Sequence, residues 1–307
     1  MIKKLKYNLG SIYYKFRYFL YYFKRKSITI RNNWDTVNFI IEHKCSVSRY
    51  GDGELFMIFN FLDKTTINCS GFQKVDYTLC ERLFQILHEG NQINHNFYIG
   101  LPGSMFSVGV KNLIKSAGRF WQASTNKFLK RTLPLLKKDT YLDSLFTRFY
   151  MFIKDKQTSP IYIKLLRKIW DNRELLVIEG EQTRLGVGND LFDNSKRVQR
   201  ILCPPTNAWN KYDNILLKIR EVASPLDDKL ILCALGMTAT VLAHDLAFLG
   251  YQAIDIGHID IEYEWMLRNA KHKIAIPGKF TNEVVDGNKT SVCFDEKYIS
   301  QIIHIIK

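Results

Sequence analysis

The chain has 307 residues, 46% of them hydrophobic and 24% charged, which suits one large α/β domain or two small ones and excludes a disordered protein. Its formal net charge of +14 admits nucleic acid, an anionic membrane or a phosphorylated substrate as partner. Nine Lys or Arg residues and no Asp or Glu fall within residues 1–34, so the imbalance sits largely in one arm, outside the apparent fold, and a nucleic-acid-binding module is disfavoured.

Leu9, Ile12, Tyr13, Phe16, Phe19, Leu20 and Phe23 follow the spacing of one helical face, while Lys6, Lys15, Arg17, Lys24 and Arg25 lie largely off it. Such a helix suits an anionic headgroup layer, with aromatics inserted and amines at the surface. The alternatives are packing on the catalytic domain or on a second subunit, which leaves a homo-oligomer open. No stretch reaches the roughly 18 apolar residues of a membrane span, and no secretory leader is visible. Cys45, Cys69, Cys80, Cys203, Cys233 and Cys293 are scattered without zinc spacing and suit reduced thiols, so a cytoplasmic protein at the inner face of a membrane is expected.

The arm is expected to cover residues 1–34, and a single catalytic domain residues 35–307. Asp35 is placed to cap a helix through His43, followed by a strand at 46–50, the loop Gly51-Asp52-Gly53 and an apolar helix. Helices are expected at 77–88, 161–170, 212–222 and up to Leu249. Strands are expected at 97–100, 175–178, 198–202, 229–234 and 253–256. This alternation predicts a Rossmann-like, mainly parallel sheet covered by helices on both faces, with ligands gathering where strands end and helices begin.

Four such loops carry the candidate chemistry. In the first, Arg49 to Glu54, Asp52 and Glu54 are one glycine apart and can offer hard oxygens to Mg2+ or Mn2+; Gly51 and Gly53 permit close backbone approach. The same residues equally suit an ordinary acidic helix start. The second, Glu179 to Asp190, is a possible nucleotide cradle, with Arg184 for phosphate and Asn189 or Asp190 for a ribose or base edge, or else a long surface turn. A third, at Gly236 and Thr238, can bind an anion through backbone N–H groups or be a plain turn. In the fourth, His258, Asp260 and Glu262 alternate along what is expected to be an extended segment, a source for a third metal ligand and a catalytic carboxylate.

Taken together, these blocks resemble the GT-D fold glycosyltransferases, first described as a domain of unknown function in streptococcal adhesin glycosylation. Asp52-Gly53-Glu54 is similar to that family's DXE motif. Support comes from Phe146-Thr147-Arg148-Phe149-Tyr150, from Glu179-Gly180 with Arg184 to Phe192, from Pro205-Thr206-Asn207-Ala208-Trp209 and from Gly257-His258-Ile259-Asp260, over roughly residues 35 to 270. The resemblance implies a UDP-sugar donor and a divalent cation held at Asp52 and Glu54. It leaves the acceptor open between a lipid-linked saccharide and a glycoprotein, and the N-terminal arm is not part of its pattern. On this basis His258 is a further metal candidate, and Arg49, Gly51, Gly53, Arg184, Asn189, Asp190, Asn207, Gly236 and Thr238 are donor-binding candidates. Asp260, Glu262 and Glu181, in that order, are the candidate proton acceptors. A metal-dependent nucleotide phosphohydrolase is the rival for the same acidic loops.

Overall fold

The computed structural model describes residues 2–67, 72–281 and 283–307, with backbone only at 2–9 and 11. Cys69 and the side chains of Lys6 and Leu9 therefore lie outside the described residues. The elements in chain order are α1 (Ile2–Leu20), α2 (Tyr22–Arg25), β1 (Thr29–Ile30), α3 (Asn33–His43), β2 (Ser46–Arg49), α4 (Asp52–Asp63) and α5 (Tyr77–Glu89). Next come β3 (Phe97–Leu101), α6 (Lys115–Thr132), β4 (Thr140–Asp143), α7 (Ser159–Arg167), β5 (Glu174–Gly180) and β6 (Arg197–Cys203). The chain ends with α8 (Tyr212–Val222), β7 (Lys229–Ala234), α9 (Met237–Phe248), β8 (Gln252–Asp255), α10 (Ile259–Leu267), α11 (Glu296–Gln301) and β9 (Ile302–Ile305).

Local chemistry sets several of these boundaries. Asn32, not Asp35, caps α3: its side chain accepts from the Trp34 and Asp35 N–H groups, because it stands one residue before the first helical position, where Asp35 is already inside. Lys44 then closes α3 in the left-handed region at φ 48°. At α4 the cap position is Gly51, and Glu54 turns back to accept from the Gly51 N–H at 2.7 Å, the reciprocal half of a capping box.

The strands form one sheet in the order β1-β4-β3-β2-β8-β7-β5-β6-β9, and every pairing among them is parallel. Parallel strands need helical crossovers, which cover both faces. Side-chain alternation along β5 shows the consequence: Leu175 and Val177 enter one core with Trp170 and Trp265, while Leu176 and Ile178 enter the opposite core with Ile215 and Ala243. The first face is covered by α3, α7 and α10, the second by α4, α5, α6, α8 and α9. α9 is buried on nearly every side from Met237 to His244, so its N-terminus is fixed in place. Among the described residues Cys45, Cys203, Cys233 and Cys293 are free thiols.

The N-terminal residues join this body at two places. β1 is an edge strand of the sheet, with Thr29 opposite Thr140, so residues 29–30 belong to the sheet rather than to a free arm. α1 packs across α6: the Tyr18 hydroxyl donates to the Ser104 carbonyl at 2.8 Å, Arg25 donates to the Phe106 carbonyl at 2.8 Å, and Asn126 donates to the Tyr14 carbonyl at 3.1 Å. Tyr18, Tyr21 and Arg25 are the buried side. The stripe of Ile12, Phe16, Phe19 and Phe23 faces outward, with Phe23 85% exposed. No helix among the described residues is long and apolar enough to cross a membrane.

One buried ion pair fastens the β6 side of the sheet. Arg200 meets Glu179 at 2.6 Å and also donates to the Leu185 carbonyl at 2.8 Å and to Gln301 at 2.8 Å, while Glu179 accepts from the Leu185 N–H at 2.7 Å. Removing only the cation strands a buried carboxylate. Arg200→Met is expected to lower unfolding free energy by about 3–5 kcal/mol, with Glu179→Gln in the same chain restoring part of it, measured by urea titration.

Candidate active site

The sheet order places β2, β8 and β7 side by side, so the loops leaving their carboxyl ends share one rim. A cavity of about 1100 Å³ opens there. Arg49 at the end of β2 holds this rim together. Its Nε donates to the Ser144 carbonyl at 2.8 Å, just beyond β4, and its Nη1 lies 3.4 Å from Asp255 at the end of β8. Gly257, at φ 47°, leaves room for that guanidinium: a Cβ there would come within 1.8 Å of Nη1.

The helix starts of α4 and α9 face one another across the same rim. Gly53 lies close to Met237: a Cβ there would come within 2.7 Å of the Met237 Cε, the mobile tip of that side chain. Gly236, at φ 56°, lies under the ring of Phe72 in the same way. Two helix N-termini, each with unpaired N–H groups and the positive end of its dipole, thus border one cavity.

Asp52 and Glu54 line this cavity, and desolvation in its wall pushes both carboxyls above their ordinary range, Glu54 to about 7. Among the described residues no Lys, Arg or His forms an ion pair with either. Asp143, buried at the end of β4, accepts only from the Gly103 and Leu145 N–H groups among the described residues, whereas the carboxylates of α10 are paired with cations. Asp260 accepts from the Gly186 N–H at 2.8 Å, from Asn189 at 2.9 Å and from Lys279 at 2.6 Å. Glu262 is wholly buried, accepting from the Tyr150 and Met151 N–H groups at 2.9 and 2.7 Å, with Arg148 at 3.6 Å. Glu264 meets Lys279 at 2.9 Å.

The fourth candidate loop is not extended. His258 is the cap position and Asp260 and Glu262 lie in the first turn of α10, so the alternate spacing does not line them up on one side. Asp260 borders the cavity, whereas Glu262 is turned to the loop after β4 and Glu181 is exposed away from the cavity lining. His258 lines the cavity, with its Nδ1 3.2 Å from Arg148 Nη2. A guanidinium only donates, so Nδ1 accepts and the ring proton resides on Nε2. Among the described residues no group of three or more His, Cys, Asp or Glu side chains forms a metal cage.

The remaining donor-binding candidates act away from the cavity lining. Arg184 donates to the carbonyls of Gly278 and Ser291, both at 2.6 Å, clamping the segment that carries Lys279. Asn189 bridges Asp260 and Glu264, and Asp190 accepts from Arg167 at 2.7 Å. Asn207 accepts from the Lys74 N–H at 2.8 Å and donates its own N–H to the Phe72 carbonyl, which fixes Phe72 at the rim. Thr238 is fully buried at the start of α9.

Several cavity residues were not singled out by motif. Asp255 is one, its carboxyl pushed up by burial against the pull of Arg49. Glu283 is another: burial opposes its ionisation, but Arg148 and Lys273 outweigh it and hold its carboxyl down at about 2. Part of the lining is aromatic and basic, with Phe120, Trp121 and Lys127 from α6, Phe152, and Phe280, whose ring lies 5.9 Å from that of Phe72. Lys271, His272 and Lys273 complete this part of the lining.

A doubly covered parallel sheet with an acidic loop and two helix starts around one strand-end cavity is an α/β architecture of the glycosyltransferase kind. The family model "Glycosyltransferase GT-D fold" matches residues 47–284, and the chain belongs to that family. It is 34% identical over 280 residues to "Probable glycosyl transferase Gly" of Streptococcus gordonii, covering 91% of this chain and 39% of that protein. It is 33% identical over 276 residues to "Glycosyltransferase GlyD" of Streptococcus pneumoniae serotype 4, covering 90% and 32%. The chain thus spans well under half the length of these two relatives. A solved structure described as "The highly conserved domain of unknown function 1792 has a distinct glycosyltransferase fold" superposes with a TM-score of 0.84 at 31% identity, covering 94% of this chain and 100% of that one. Another, "A New Glycosyltransferase (DUF1792) from Streptococcus sanguinis", gives 0.81 at 32% identity, covering 91% and 100%.

The raised Glu54 carboxyl has a stability consequence. Its folded pKa of about 7 exceeds the ordinary 4.5, so the folded state binds the proton more tightly and loses stability as pH rises through that window. Glu54→Gln keeps the reach to the Gly51 N–H without the charge. The variant is expected to be more stable than the parent by on the order of 1–3 kcal/mol above pH ~8, the gain vanishing below pH ~4, in denaturant titrations without added metal.

Proposed function

We propose that the protein transfers a sugar from a UDP-sugar to a glycan acceptor, with Mn2+ or Mg2+ held by Asp52 and Glu54 against the donor diphosphate. We further propose that it works at the inner face of a membrane, with residues 1–34 on the anionic surface. The observation that carries the catalytic assignment is the contrast among carboxylates: Asp260, Glu262 and Glu264 each form an ion pair, while Asp52 and Glu54 line the cavity without one among the described residues, Arg148 and Lys127 acting on Asp52 only at longer range.

Two unpaired carboxylates fit a small hard cation that takes its other oxygens from substrate phosphates and water, the usual arrangement for Mg2+ at a diphosphate. They do not fit a closed protein cage, and His258 in its present tautomer holds Arg148 instead of offering a third lone pair. When bound, the cation would supply neutralisation of the charge that builds on the departing UDP.

The chain's own residues supply the rest. The starts of α4 and α9 both border the cavity, where their N–H groups would serve the phosphate oxygens of the donor. Arg148 adds positive potential from the wall, oriented by Glu262, Glu283 and His258. Asn207 positions Phe72 at the rim. Asp260 borders the cavity and, bound to Lys279, positions the Gly186 loop; taking the acceptor's proton there would require Lys279 to yield.

Asp52→Asn is expected to lower Mn2+-dependent release of sugar from its UDP-sugar by about 100-fold or more, and Mn2+ should raise the melting temperature of the parent but not of the variant. Full activity of the variant with saturating Mn2+ would remove the metal assignment. Release of phosphate from UDP alone, with no use of the sugar, would favour the phosphohydrolase.

A further inference from the structure

The outward face of α1 and α2 is a surface that the catalytic assignment does not use. Ile12, Phe16, Phe19, Leu20 and Phe23 recur at helical spacing and are 59–85% exposed, on the side opposite the buried Tyr18, Tyr21 and Arg25. A helix docked on its own domain ordinarily buries its most apolar face, and this one buries tyrosine hydroxyls and an arginine instead. Lys15, Lys24 and Lys26 are exposed and flank the aromatic stripe, and no acid occurs before Asp35. Aromatic insertion bordered by amines, without an acidic residue, complements an anionic bilayer better than a protein groove.

The placement of this face adds a substrate consequence. α6 carries both surfaces. Asn126 holds α1, while Ala117, Phe120, Trp121 and Lys127 of the same helix line the cavity, Lys127 lying over the Phe56 ring of α4. A bilayer touching the aromatic stripe thus lies about one helix diameter beyond the cavity wall, on the order of 10 Å.

We propose that this face docks on an anionic membrane and that the acceptor is a lipid-carried saccharide entering the cavity along α6, not a soluble glycoprotein. The acceptor half rests on the transferase assignment above; the docking half does not. The test uses the full chain and Phe16→Ser/Phe19→Ser/Phe23→Ser, changed only at outward positions. In flotation with phosphatidylglycerol–phosphatidylcholine vesicles, the parent should float and the triple variant should lose binding roughly tenfold or more, with pure phosphatidylcholine floating neither.

Vesicles of the source cell's lipid extract should accept label from the UDP-sugar into the chloroform phase with the parent. The triple variant should lose this while releasing sugar from the donor at the parental rate. Failure of the parent to float, or a dimer in sedimentation that the triple variant dissociates, overturns the docking. Flotation with label passing only into protein overturns the lipid acceptor. Absence of donor turnover in both proteins, with flotation intact, instead strikes the transferase assignment.

Discussion

Three strands approach the cavity from different parts of the chain, and a parallel sheet by itself does not fix how their trailing loops meet. Arg49 does so: it is covalently part of β2, hydrogen bonded to the residue after β4 and ion-paired with the last residue of β8. The pair is buried, so its strength depends on geometry, and Gly257 provides that geometry by leaving the guanidinium its space. With these strand ends joined, the Asp52 loop, which begins three residues after Arg49, has little freedom in where it projects. The close approach of Gly53 to Met237 then couples it to the start of α9, itself immobilised by burial on nearly every side.

Electrostatics divide the acidic residues of this region into two kinds. Glu262 closes the loop after β4 onto α10 through two backbone N–H groups, and Asp260 with Glu264 grips Lys279 from a segment that Arg184 clamps from the other side. Such carboxylates build the wall, and removing one would leave a buried cation uncompensated. Asp52 and Glu54 build nothing comparable. Glu54 caps its own helix, a task that glutamine performs as well, and it stands where burial resists its ionisation. Ionising it costs stability without serving the fold, which supports the ligand role proposed above.

Sequence periodicity exposed the elements with strong contrast. α8 and β7 begin and end where expected, and β5, β6, β8 and α5 differ by a residue or two at their ends. The polar helix α6 was invisible because it buries a few large residues, Trp121 and Phe128 among them, between lysines, serines and threonines. β1 has two residues and β4 four, too short to establish a period of two. α10 misled for the opposite reason. Its isoleucines alternate with His258, Asp260 and Glu262 as in a strand, but Ile259 to Trp265 is buried all round, so the helical period leaves no polar face to detect. The acidic loop, the glycines beside it and the rim at Gly236 were legible because their chemistry is local. The pairings of Asp260 with Lys279 and Arg148 with Glu283 were not, since each joins segments whose proximity only the fold creates.

α6 is shared by two surfaces of the molecule. Its Phe120, Trp121 and Lys127 line the cavity, and Lys127 also lies over the Phe56 ring of α4, so this aromatic and basic lining adjoins the helix that carries Asp52 and Glu54. Aromatic faces tolerate the apolar side of a sugar ring or a lipid chain, and amines beside them complement phosphate. The Asn126 side of the same helix holds α1, which rests on the body through side chains that are not its most apolar ones. One helix thus separates the cavity from the segment that carries the outward aromatic stripe, and a change in how α1 seats on it reaches the lining directly.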